Sequence, residues 1–147
     1  MIYIFDIDGT LCDISHRLHY IESDPKDWRA FYAACTADRP IVEVIQVALA
    51  LQSNHNIKLI TGRSDEIREQ TARWVHGQRI FFSDLLMRKV GDHREDAVVK
   101  SELLDELLAR GRYSMDAIGG VFEDRKSVCE MWRKRGLRVF QVADGDF

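Results

Sequence analysis

The sequence predicts an α/β layer fold with a mainly parallel sheet flanked by helices. Three observations carry that expectation. Short apolar runs, "IYIF" (2 to 5), "IKLI" (57 to 60) and "IGGVF" (118 to 122), have the length and content of buried strands. Longer segments with helical periodicity separate them, and such alternation favours a parallel sheet. Each run also stops at polar residues: Asp6 and Asp8 after the first, Thr61, Gly62 and Arg63 after the second, Glu123 and Asp124 after the third. Ligands of such folds bind outside the carboxyl ends of the strands, so the three ends are expected to share one edge.

The elements follow in order. After "IYIF" comes a mixed, aromatic-rich stretch from Ser15 to Asp38, in which "DWRAFYAAC" reads as a short helix. Pro40 suits a helix start, and the helix running to Leu51 is apolar on nearly every side and expected to be well buried. Asn54 and Asn56 flank a turn into "IKLI". Ser64 suits an N-cap, with Asp65 and Glu66 favourable in the first turn. Ile67, Thr71, Trp74 and Val75 give that helix a packing face, and Gly77 ends it. "RIFF" (79 to 82) and "LLMR" (85 to 88) read as short strands. Residues 95 to 111 form an amphipathic helix closed by Gly111, and "KSVCEMWRKRG" (126 to 136) a helix before a last strand, "LRVFQVA" (137 to 143).

A chain of 147 residues with 46% hydrophobic content suits a single domain, 1–147, with a real core. A net charge of -3 argues against a protein that coats nucleic acid, though not against one that meets only a strand end. Cys12, Cys35 and Cys129 are odd in number and lack metal-type spacing, which predicts a reduced, cytoplasmic chain. No basic region leads into a long apolar run, so neither a signal peptide nor a membrane span is expected.

Two carboxylates at one strand end repel unless a cation joins them. With Asp124 at the same edge, a hard divalent cation with oxygen ligands resolves the repulsion, and Mg2+ fits a site of few carboxylates plus waters. Mg2+ with lysine and arginine nearby makes a phosphate site. One aspartate can then attack phosphorus, and a second carboxyl two residues on can serve as general acid and then general base. Taken singly, each feature has a plainer reading: Asp-Gly is a turn former, Lys100 and Asp96 make an i,i+4 helix pair, and "RKR" (133 to 135) is a solvated helix face. The constellation outweighs them.

These residues resemble a known family. "DIDGT" (6 to 10) matches the D-x-D-x-T signature of the haloacid dehalogenase superfamily of phosphatases, "LITGR" (59 to 63) its second motif, Lys100 its third and "FEDR" (122 to 125) its acidic fourth. "TGRSDEIREQTARWV", "GDHREDAVVK" and "EDRKSVCEMWRKRGLRVFQVADGDF" are similar to the 3′-phosphatase domain of phage-type polynucleotide kinase, as far as the closing "GDF". The resemblance implies a Rossmann-like fold with a small or minimal cap, a short insert at about 15–38. It implies Asp6 as nucleophile and Asp8 as general acid-base. Mg2+ would be held by Asp6, the backbone carbonyl of Asp8, and Asp124. Thr61 and Lys100 would hold phosphate, and Arg17, Arg63 and Asp96 would be further active-site positions that bind the substrate. Glu123 stands where that family often has a second Asp, which places it behind the metal. No G-x-x-x-x-G-K-[ST] occurs, so no ATP-binding kinase module is expected in this chain.

The implied substrates are DNA or RNA 3′-phosphate ends, and a homodimer stays open. The same motifs would equally serve a small-molecule phosphatase such as a nucleoside monophosphatase. A non-catalytic module binding Mg2+ or a partner would be expected to show a broken motif. The short stretch between the first two motifs leaves little chain for a large lid, which favours an open site and a polymer end.

Overall fold

The computed structural model describes residues 1–145 as seven strands and six helices. They are β1 (Ile2–Phe5), β2 (Cys12–Asp13), α1 (His19–Glu22), α2 (Trp28–Ala33), β3 (Arg39–Pro40), α3 (Val42–Gln52), β4 (Asn56–Ser64), α4 (Arg68–Gly77), β5 (Asp84–Arg88), α5 (Asp96–Gly111), β6 (Ile118–Arg125), α6 (Lys126–Lys134) and β7 (Val139–Gly145). Strand and helix alternate from β3 onward as the sequence leads one to expect, while β2, β3 and α1 are additions to that expectation. The end of the "GDF" motif lies outside the described residues.

One five-stranded sheet runs in the order β5-β4-β1-β6-β7, all neighbours parallel. A parallel sheet must be covered on both faces, and alternation along the strands does this. Phe5, Ile57, Leu59 and Phe122 pack under α3 and α4 with Val44, Ile45, Ala48, Trp74 and Val75. Ile2, Ile4, Ile60 and Val121 pack on the other face under α5 and α6 with Val99, Leu103, Leu104, Leu107 and Trp132. Phe5 pairs in register with Leu59 on one side and Phe122 on the other. The residues that follow on β1, β4 and β6 therefore reach the same edge together, as predicted.

Four local expectations are corrected. Pro40 does not open α3. It pairs with Cys12 in the small antiparallel β2–β3 ribbon, and the helix starts at Val42. α3 is not buried all round: Val42 and Val47 are exposed, because only one side of the helix meets the sheet. "RIFF" is not a strand. Arg79 takes φ 63, which turns the chain, so Ile80 is buried while Phe81 points outward. Gly111 lies inside α5, and Arg112 at φ 51 supplies the left-handed cap. The segment 15–38 forms α1, α2 and short 3-10 turns between β2 and β3. Cys12, Cys35 and Cys129 are buried and unpaired.

Candidate active site

At the end of β1 the backbone folds into a tight turn. The amide groups of Leu11 and Cys12 donate to the Ile7 carbonyl at 2.8 and 3.1 Å, and that of Gly9 donates to the Cys12 carbonyl at 2.8 Å. Gly9 sits at φ 80, and a Cβ there would come within 2.2 Å of Asp124 Oδ2. Glycine is thus required twice, for the turn and for the approach of β1 to the end of β6.

Asp6 is buried at the centre of this edge. Lys100, from α5, donates to Asp6 Oδ1 at 2.9 Å and to Glu123 Oε2 at 2.8 Å. Carboxylate oxygens of Asp6, Glu123 and Asp124 lie within 4.8 Å of one another. Burial first, and then Glu123, push the Asp6 carboxyl well above its ordinary value, against the pull of Lys100. Asp124 is raised too, by burial and by Asp6. Burial alone would lower the Lys100 ammonium, but Asp6 and Glu123 hold it above its ordinary value. Three carboxylates around one ammonium leave a surplus of negative charge. An all-oxygen donor set of this kind fits Mg2+, and Asp6 and Asp124 are the carboxylates of this group that could hold it, since Glu123 is engaged by Lys100. Thr61, buried in the last half of β4, accepts the Arg63 amide at 3.2 Å through Oγ1, so its hydroxyl proton can be donated elsewhere.

Asp8 belongs to a separate network. Arg63 donates to Asp8 Oδ1 through Nε at 2.8 Å and a terminal nitrogen at 2.6 Å, and Arg17 adds a contact at 2.9 Å. All these bonds use Oδ1. Burial would raise the Asp8 carboxyl, but the guanidinium groups of Arg63 and Arg17 outweigh it and hold the group below its ordinary value. Both arginines are buried and close a ring through Asp38, which accepts from Arg17 Nε at 2.8 Å and from Arg63 at 2.7 Å. His16 Nε2 also lies 2.7 Å from Asp38. The arginines therefore meet carboxylates of their own chain rather than an open surface.

Asp96, at the first turn of α5, pairs with Arg88 and lies 3.2 Å from Arg125. The expected Asp96–Lys100 pair is not formed, because Lys100 turns inward to Asp6 and Glu123. Asp96 also fits closely against Gly62, where a Cβ would fall 2.3 Å from its Oδ1. Of the residues singled out from the sequence, Asp6, Asp8, Thr61, Lys100, Glu123 and Asp124 meet at the sheet edge. Arg17 and Arg63 stand behind Asp8, and Asp96 lies to one side.

Sequence reasoning does not single out Asp38 or Arg88. Two buried arginines facing one aspartate demand a second counterion, but their burial arises only in the fold, so nothing in the sequence marks Asp38 as that counterion. Arg88 ties its strand to Gly62, donating to that carbonyl at 2.9 Å, and nothing in "LLMR" announces this.

The family described as "Polynucleotide kinase PNKP phosphatase domain" matches residues 1–147. The chain belongs to this family. Among solved structures, this phosphatase domain is similar to a chain of the "Pnkp1/Rnl/Hen1 complex", at 31% identity and TM-score 0.82, covering 99% of this chain and 46% of the other. It is likewise similar to a chain of the "Pnkp1/Rnl/Hen1 RNA repair complex", at 31% identity and TM-score 0.83, covering 99% and 43%. It thus spans less than half the length of those relatives. A haloacid dehalogenase-like hydrolase from Streptococcus pneumoniae shares the fold at 14% identity and TM-score 0.73, covering 95% of this chain and 83% of that one. The chain is a haloacid dehalogenase-type phosphatase domain. Among the described residues no helix is long and apolar enough to cross a membrane.

Proposed function

We propose that this domain hydrolyses phosphate from the 3′ ends of polynucleotides, with Mg2+ and through a phosphoryl group carried on Asp6. The observation that supports it most is the division of labour between two aspartates two residues apart. Asp6 is steered by Lys100 beside Thr61 and Asp124, whereas Asp8 is pinned through Oδ1 and keeps Oδ2 for the reaction. The family match and the likeness to chains of an RNA repair complex support a nucleic-acid end, with RNA favoured over DNA.

In the proposed reaction an Asp6 carboxylate oxygen attacks phosphorus and the bond to the 3′-oxygen breaks. Asp8 gives that oxygen a proton. A water then attacks the acyl phosphate, Asp8 takes its proton, and inorganic phosphate leaves. Asp8 is held ionised by its arginines, the form needed for the second step. For the first step, the negative charge of the incoming phosphate opposes the arginines and favours proton uptake. Lys100 and Thr61 donate to the phosphate oxygens. Held by Asp6, Asp124 and the Asp8 carbonyl, Mg2+ would offset the phosphate charge and orient it for attack. Residues 15–38 serve as a small fixed cap rather than a closing lid.

The test is a substrate panel: an oligonucleotide 3′-phosphate, its 5′-phosphate isomer, nucleoside 3′- and 5′-monophosphates, and a sugar phosphate. The 3′-phosphates should lead in kcat/KM, with the 5′-phosphate end nearly inert. EDTA and Asp6→Asn should each abolish release. A preference for 5′-monophosphates or sugar phosphates would overturn the substrate, and full activity in EDTA would overturn the metal.

A further inference from the structure

The insert carries an aromatic surface that the chemistry described above does not use. Trp28 and Tyr32 stand one turn apart on α2, their ring centroids 6.0 Å apart and tilted by only 32°. Trp28 is exposed at 44%, high for so large an apolar side chain, whereas Trp74 and Trp132 are buried. Lys26 places its ammonium 5.7 Å from the Trp28 ring. Asp27, the nearest acid in sequence, is occupied as the helix cap, accepting from the Ala30 amide at 2.9 Å.

This surface is fixed relative to the reacting groups. Phe31, between Trp28 and Tyr32 in sequence, is buried beneath the Arg17 guanidinium, 4.2 Å from its ring centroid, and its carbonyl accepts from Arg17 at 3.4 Å. The same Arg17 holds Asp8. Tyr32 itself packs against the buried core beneath α3 and α4, which holds its ring in place.

We propose that Trp28 and Tyr32 form the stacking platform for the base of the nucleotide that bears the 3′-phosphate, with Lys26 at its edge toward the next phosphodiester. This rests on the 3′-phosphatase reading and adds to it how the polymer is held. Base–aromatic stacking tolerates any base, because each has a π-face. A cation beside the rings matches the strand's charge, on a protein whose net charge is negative. Removing the platform should therefore weaken polymer binding without creating a base preference.

Two measurements test it. In the first, kinetics compare an oligonucleotide 3′-phosphate with one whose terminal nucleoside is abasic. Wild-type protein should favour the base-bearing end by about tenfold in KM. Trp28→Ala should erase that difference, and Trp28→Phe should restore most of it. In the second, indole fluorescence of Asp6→Asn is followed as oligonucleotide 3′-phosphate is added. Trp28 is the exposed indole, so stacking should quench the signal, and the additional change Trp28→Phe should remove the quench. Equal KM for base-bearing and abasic ends, or a quench that survives Trp28→Phe, overturns the platform. If wild-type protein releases no 3′-phosphate at all, the activity assignment fails, and the fluorescence titration still decides whether the platform binds a base.

Discussion

Asp6 and Asp8 are separated by one residue, yet their surroundings push their carboxyl groups in opposite directions. Asp6 is raised, chiefly by burial and then by Glu123, so its ionised form weighs against the fold above its ordinary value of about 3.9. Asp8 is depressed, because Arg63 and Arg17 outweigh burial, so its ionised form supports the fold. The two asparagine variants should therefore shift the melting temperature in opposite senses. In EDTA at pH 7, Asp6→Asn should melt higher than the wild type, since Lys100 keeps Glu123 as its partner. Asp8→Asn should melt lower, since two buried guanidinium groups lose a counterion. The Asp6 gain should close as pH falls through its raised value toward about 4, where both states hold the proton. The Asp8 deficit should persist to lower pH and close only below about 4. Melting curves of the three proteins from pH 3 to 8 decide this, and shifts of the same sign at pH 7 would refute the assignment of opposite environments.

At the scale of elements, the site is made by where strands stop. β1, β4 and β6 were legible as apolar runs, and the polar residues after them were legible as a shared edge because parallel strands in register end together. Less legible was whatever depends on one residue's dihedral angles or on a partner from another segment. Arg79 and Arg112 adopt positive φ at positions where neither charge nor hydropathy marks a turn. The exposed Val42 and Val47 disguise the single buried side of α3. Gly9 is the opposite case, since an Asp-Gly pair directly after a buried strand marks a turn by residue type alone. Gly9→Ala should cost about 1–2 kcal/mol for the left-handed backbone alone, and its methyl group would also press on Asp124. Activity should therefore fall further than stability does, with the Mg2+ requirement raised. Chemical denaturation read beside a Mg2+ titration of turnover separates the two effects. An unchanged Mg2+ requirement would show that the close approach of β1 to Asp124 does not matter.

For the whole molecule, the question is how an insert of short helices holds its position on the sheet without a core of its own. The ring Arg17–Asp8–Arg63–Asp38 joins the insert, the turn after β1, the end of β4 and the lead into β3 in one buried network. The Asp38 carbonyl also accepts from Trp74 Nε1 on α4 at 3.0 Å. Asp38 had no mark in the sequence because its meaning arises only when these segments converge. Its side chain is wholly buried, and an amide there would leave two guanidinium groups with Asp8 as their remaining carboxylate. Breaking a buried ion pair in this way costs about 3–5 kcal/mol, so Asp38→Asn should lower the free energy of unfolding by that order. The loss should reach beyond the insert. Amide exchange should quicken in residues 15–38 and also near Thr61–Ser64, because the same arginines brace both. An exchange change confined to residues 15–38, or a stability loss far smaller than this, would mean that this segment is held on the sheet by its apolar contacts rather than by this charge network.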